Sequence, residues 1–229
     1  MMARTRDAAA HAVKRDAFLD AAAQLMQRKG FQAMTIADVL ESTGASKGAF
    51  YHYFSSKQDL LDGVVQRMLD QIVGAVRPIV DAEDLTALEK LDRYFAAIGQ
   101  WKNARRELVL ATARAWASDA NALPRLKLRL AAGDKSGRLL ARVVRQGIAE
   151  GQFAPCAPEA TGRLIYAIIQ DLQDTLMSTF ATDDPPHEDP ESVRVRFEAY
   201  ADALERLLGA PPGTIRLIDD DTFDEWFRR

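Results

Sequence analysis

Cysteine is nearly missing: Cys156 stands alone among 229 residues. One thiol can neither close an intrachain disulfide nor supply a two-thiol zinc site, which favours a reducing compartment. Long apolar runs are missing too. Charges interrupt every apolar helical candidate before the roughly 18 residues that a membrane span requires. Arg4, Arg6, Asp7, Lys14 and Arg15 leave the first residues without the apolar stretch of a signal peptide. Charge of one sign is also lacking, since 30 Lys+Arg face 33 Asp+Glu for a net charge of -3. The β-branched residues Val, Ile and Thr number only 33, against 38 Ala and 24 Leu. That excess of helix formers predicts a mostly α-helical chain. At 48% hydrophobic and 28% charged, disorder and collagen-like repeats are excluded. The expectation is a cytoplasmic, water-soluble protein with no membrane partner.

The small net charge hides a division. Residues 1–57 hold eight basic and five acidic side chains, and the remainder holds 22 basic and 28 acidic ones. A basic N-terminal module that meets a polyanion, followed by an acidic body, would produce this pattern.

Apolar spacing predicts helices along the whole chain. Phe18, Ala22, Leu25 and Met26 share a face of the first helix, which Gly30 stops. Thr35 with Asp38 three residues on marks the start of a short second helix, and Gly44 ends it. Ser46 caps a third, short helix whose apolar side is Ala49, Phe50 and Tyr53. A fourth helix starts after Ser56 and ends near Pro78. Further helices are expected over 85–101, 105–117, 123–150 (with a bend near Gly133 or Gly137), 158–180 and 191–208. Residues 182–190 read as a polar, proline-rich loop, so His187 among Asp183, Asp184, Glu188 and Asp189 is assigned to that loop, not to a metal site. After Gly209, the acids Asp219 to Asp221 open a terminal helix. Its apolar side, Phe223, Trp226 and Phe227, is expected to dock on the body.

Two short capped helices joined by a tight glycine turn have the pattern of a helix-turn-helix. The second helix of such a pair enters the DNA major groove. Here it presents Ser46, Lys47, Gly48 and Ala49 at its tip, with Tyr51 and His52 within reach of phosphate or base edges. Thr35 and Lys57 stand at the starts of the flanking helices, where free backbone N–H groups favour phosphate. Arg4 and Arg6 read as a basic start that adds long-range attraction.

The run of Thr35 and Asp38, Gly44, Ser46-Lys47-Gly48-Ala49, Phe50-Tyr51-His52-Tyr53-Phe54 and Ser56-Lys57-Gln58-Asp59-Leu60-Leu61 resembles the DNA-binding region of the TetR/AcrR family of bacterial repressors. The resemblance covers roughly the first 61 residues, Gly30 and Phe31 included. Leu40, Thr43 and Ala45 depart from the family's usual residues at packing positions. Gly147, Gly151 and Phe153 give a weaker local match in the body.

The resemblance implies an all-α protein with an N-terminal three-helix DNA-binding domain (1–57), a helical ligand-binding and dimerisation domain (58–209) and a C-terminal extension (210–229), with about nine helices in total. It also implies a homodimer that holds a double-stranded DNA operator and lets go when a small apolar or amphipathic effector binds. The dimer stripe expected on the last long helix is Phe197, Tyr200, Ala201, Leu204 and Leu208. Trp101, Trp116, Tyr166, Gln170 and Met177 are the candidates for the effector pocket. No P-loop, HExxH, CxxC or Gly-x-Ser-x-Gly elbow occurs, so no enzymatic role, cofactor or metal is expected. From the residues alone a second reading stays open: a helical small-molecule-binding or partner-binding protein with little specific DNA binding.

Overall fold

A computed structural model describes residues 2–116, 121–154, 157–180 and 189–227. Cys156 and most of the loop with His187 lie outside the described residues, and so do the side chains of Arg4 and Arg6. Among the described residues there are ten α-helices and no strand: α1 (Met2–Ala33), α2 (Ile36–Thr43), α3 (Lys47–Tyr53), α4 (Lys57–Asp81), α5 (Ala87–Asn103), α6 (Arg106–Trp116), α7 (Ala122–Ala149), α8 (Pro158–Phe180), α9 (Pro190–Leu208) and α10 (Asp220–Phe227). No described helix is long and apolar enough to cross a membrane.

The chain divides into two compact units. One comprises Met1–Met68 and Glu107–Pro124, the other Leu69–Arg106 and Arg125–Arg229. The sequence-based border at residue 57 falls at the start of α4, and this helix contributes to both units.

In the first unit, α1 breaks at Gly30, whose φ of 76° and ψ of 159° interrupt the helix. Phe18, Leu19, Ala22 and Met26 of α1 are buried with Val39 of α2, Phe50 of α3, and Leu60, Leu61 and Val64 of α4. Phe18, Phe50 and Phe54 form an aromatic knot, with Phe18 edge-on to Phe50 at 5.7 Å and Phe50 at 5.9 Å from Phe54. Each fully buried ring or leucine contributes about 1.5–3 kcal/mol of transfer free energy. The two short helices α2 and α3 are therefore fixed against α1 and α4 by one small core. Arg67 of α4 adds an ion pair to Asp20 of α1 at 2.7 Å.

The second unit has two apolar clusters. In the larger, Leu91 and Phe95 of α5 join Leu140 and Val144 of α7, Ile165 of α8, and Leu204 and Leu208 of α9. The smaller joins Leu172 and Leu176 of α8 and Val193 of α9 to Phe223 of α10. The terminal helix is thus part of the unit, as its apolar face predicts, and Asp219 caps it through Thr222 N–H at 2.8 Å. Helix α7 runs from Ala122 to Ala149 as one element, with Gly133 and Gly137 inside it. Glycines let α7 and α8 approach closely: a Cβ on Gly162 of α8 would lie 2.4 Å from the Gly137 carbonyl oxygen of α7, and one on Gly137 would lie 2.9 Å from Arg163 Cγ.

Candidate functional site

The helix-turn-helix is built by local hydrogen bonds that its residues dictate. Thr35 Oγ1 accepts from Asp38 N–H at 3.2 Å, and Thr35 N–H donates to the Asp38 carboxylate at 2.7 Å, which closes a capping box. Lys29 pairs with the same carboxylate at 2.5 Å. The Lys29 ammonium and the Thr35 donors hold the Asp38 carboxyl down at about 2, so it stays ionised. Gly44 takes the left-handed conformation (φ 63°) that turns the chain out of α2. The Thr43 hydroxyl donates to the Val39 carbonyl at 2.8 Å.

Ser46 then caps α3 by accepting from Ala49 N–H at 3.2 Å. Phe50 anchors this helix in the core, and the opposite side faces outward. Ser46, Lys47, Gly48, Tyr51 and His52 are exposed together, and Ala49 is half-buried at their edge. Tyr51 remains 47% exposed although its ring stands edge-on to Phe50 at 5.3 Å. A Cβ on Gly48 would meet only Ser46 Oγ, at 4.0 Å. Nothing inside the protein requires glycine there, which leaves the tip of α3 open to close approach from outside. His52 lies 5.6 Å from His11 of α1, edge to face.

Lys57 has another role than its sequence position suggests. Its ammonium donates to the carbonyls of Phe31 (3.0 Å), Gln32 (3.2 Å) and Met34 (2.9 Å), and sits 4.5 Å from the centre of the Phe31 ring. These are the carbonyls left open where α1 runs into α2. The side chain braces the turn from within, and these carbonyls take up its three donors.

A cavity of about 100 Å³ lies in the second unit among α5, α8, α9 and α10. Of the five residues expected at a pocket, only Met177 lines it. Trp101 is buried beneath the Arg105 guanidinium, 4.8 Å from its ring centre. Tyr166 packs on Gly133 of α7 with its hydroxyl 3.4 Å from the Arg129 carbonyl, and burial raises it to about 12. Gln170 donates to Asp174 at 2.8 Å. Trp116 belongs to the first unit. The walls that the sequence reading missed are Phe95, Ile98 and Lys102 of α5, Leu172 and Leu176 of α8, and Trp226 of α10.

The family model for bacterial regulatory proteins of the tetR family matches residues 18–64. The transcriptional repressor KstR2 of Mycolicibacterium smegmatis is 28% identical over 160 residues, which is 70% of this chain and 76% of that protein. The transcriptional repressor ComR of Escherichia coli is 34% identical over 84 residues, 37% of this chain and 40% of that one. A solved TetR-family regulator from Pectobacterium atrosepticum superposes with a TM-score of 0.64 at 21% identity, covering 89% of this chain and 98% of its own. Over its N-terminal region, residues 18–64, the chain matches the tetR family of bacterial regulatory proteins. It is a DNA-binding transcriptional regulator, and the family is one of regulators, not enzymes.

The expected dimer stripe needs correction. Leu204 and Leu208 are 1% and 0% exposed, inside the unit's own core. Phe197 faces the cavity and packs 6.2 Å from Phe223. Tyr200 and Ala201 are half-buried. The outward side of α8 and α9 is instead an open groove lined by Ala167, Ile168, Ala199, Tyr200 and Ala203. The Tyr200 hydroxyl donates to Asp171 across it, which raises the phenol above its ordinary value.

Proposed function

We propose that this chain is a cytoplasmic repressor that binds a palindromic operator as a homodimer and is released when a small apolar or amphipathic effector enters the second unit. The observation that carries the reading is the outward cluster Ser46, Lys47, Gly48, Tyr51 and His52 on a helix capped and anchored from behind. Small groups at the tip admit a groove edge, Lys47 supplies charge, and Tyr51 and His52 supply hydrogen-bonding groups. Thr35 and Ala49 flank this face. Lys57 serves it from behind by holding the turn between α1 and α2 in place.

The residues 1–57 then read DNA, 58–209 bind the effector and pair, and 210–229 close the cavity. Pairing uses the outer groove of α8 and α9, where Ala167, Ala199 and Ala203 let a second copy's helices approach closely. A two-fold dimer holds its reading helices over half-sites roughly 34–36 Å apart. Helix α4 contributes residues to both units, so it is the continuous element through which an effector can shift that spacing. Coupling of this kind is typically ~1–3 kcal/mol.

The test is fluorescence anisotropy on DNA flanking the coding region across a salt series. Wild type is expected to bind a palindromic site with steep salt dependence. Lys47→Ala is expected to weaken binding by tenfold or more. Equal affinity of the variant and wild type, or no preference for any palindrome, would sink the reading.

A further inference from the structure

Lys102 puts a charged residue in the wall of an apolar cavity. Phe95, Ile98, Gly99 and Lys102 follow one another at the three- and four-residue spacing of a single α5 face. That face forms one wall. Ile169, Leu172 and Met177 of α8 and Trp226 of α10 complete the surroundings, and Lys102 is the only charged residue among the described lining residues. The carboxylate that acts on it electrostatically is Asp174. Asp174 is already paired with Arg129 at 2.7 Å and accepts from Gln170 at 2.8 Å. Lys102 has no hydrogen-bond or ion-pair partner among the described residues. Its burial pushes the amine down to about 8. Lys102 is half-buried, so its ammonium keeps some contact with water while the residue completes an otherwise apolar wall, where Leu or Met would serve without any desolvation of charge.

We propose that the effector is a compact organic acid whose carboxylate pairs with Lys102 while its hydrocarbon part fills the cavity between α5, α8 and α10. The inference rests on the proposed ligand-responsive function and gives that effector its chemical class. The size follows from the cavity: about 100 Å³ is well below the roughly 300–1,000 Å³ of drug-sized pockets. A short-chain or single-ring acid fits, and a longer one has to displace α10. That helix is tied at its ends by Asn103 to Glu225 and by Arg194 to Asp220 at 3.0 Å, so it forms a wall that can yield.

The bound carboxylate would stabilise the protonated amine. Acid binding is therefore strongest below pH 8 and weakens as pH rises through the titration of the free Lys102. The groups able to modify this are Asp174 with Arg129 on the α8 side and Glu225 with Asn103 on the α10 side.

The test is calorimetric titration of the full-length protein with benzoate, hexanoate and octanoate, each beside its own amide. We expect the acids to bind at least tenfold more tightly than the amides at pH 7. Lys102→Met should abolish this preference, Lys102→Arg should retain it, and raising the pH from 7 to 9.5 should erode it in wild type. Circular dichroism checks that the variants are folded. Amides binding as tightly as acids would leave the cavity a ligand site and overturn the acid class. Acid binding undiminished in Lys102→Met would overturn Lys102 as the anchor. Binding of no probe would overturn both the class and the cavity. Operator binding without any probe, measured in parallel, reports separately on the DNA-binding reading.

Discussion

Replacing Lys57 by methionine separates two roles that share one position. Methionine keeps much of the aliphatic stem and removes the ammonium that holds the Phe31, Gln32 and Met34 carbonyls at 2.9–3.2 Å. A hydrogen bond to a charged donor contributes about 1.5–3 kcal/mol. The three cannot simply be added, because one half-buried ammonium serves all of them and water would reach the carbonyls in the variant. The contact with the Phe31 ring contributes about 0.5 kcal/mol more at a site of this exposure. A net loss of about 2–3 kcal/mol is expected. For a chain of this size that lowers the melting temperature by roughly 4–12 °C. Operator affinity should fall as well, because the turn that aims α2 and α3 is loosened, but its salt dependence should stay unchanged. A lost phosphate contact leaves the opposite signature: unchanged melting and a salt slope reduced by about 0.9. Calorimetry combined with anisotropy at several salt concentrations reads both quantities. Unchanged melting with a shallower slope would refute the bracing role.

Other outcomes follow from the same geometry. The Lys29 ammonium and the Thr35 donors lower the Asp38 carboxyl to about 2. The stability it contributes is complete above the ordinary carboxylate pKa of about 4 and is lost as pH falls from there through 2. An NMR titration of Asp38 with its midpoint near 4 would contradict this. Gly147→Ala would place a Cβ 2.0 Å from Phe153 Cδ2 and should destabilise by more than about 2 kcal/mol, whereas Gly74→Ala in α4 meets nothing within 4 Å and should stabilise by about 0.5–1 kcal/mol. Equal melting of the two variants would refute the packing argument. On the outer groove, Ala203→Glu should give folded monomers by light scattering with reduced operator affinity, and an intact dimer would exclude this face. Leu204→Glu should instead unfold the second unit, because it buries a charge in the core.

The reading head was legible because its determinants are local. A capping box needs only Thr35 and Asp38 three residues apart, a left-handed turn needs Gly44, and an anchored helix needs Phe50 with Gly48 and His52 turned away from it. Each operates within one or two turns of chain, so spacing and side-chain chemistry suffice to predict it. The use of Lys57 was not legible. Its partners are backbone carbonyls 23 to 26 residues away, and a carbonyl leaves no mark in a sequence. The cavity failed for a related reason. Trp101, Trp116, Tyr166 and Gln170 were singled out as polar or aromatic residues, but a cavity is where faces of several helices fail to meet. One signal is present in the sequence: Lys102 continues the face of Phe95, Ile98 and Gly99, and a charge in register with an apolar stripe asks for an explanation.

The dimer stripe shows the limit of periodicity most clearly. Phe197, Leu204 and Leu208 repeat at helical spacing, and such a stripe states that one face of α9 must be buried, without saying against what. The larger side chains went to the protein's own core, where Leu204 and Leu208 join the α5, α7 and α8 cluster. The side left outward is poorer in apolar bulk and richer in alanine, with Ala199 and Ala203 facing Ala167 across an open groove. A helix that must pack twice, once inside its own chain and once against a second copy, has a physical reason for this division. Large side chains stabilise the fold whether or not the partner is present. Small ones cost little while exposed and permit close helix approach once the partner arrives. An apolar stripe on the last long helix of such a chain therefore marks the fold's own core first, and the pairing surface is to be sought on the alanines that flank it.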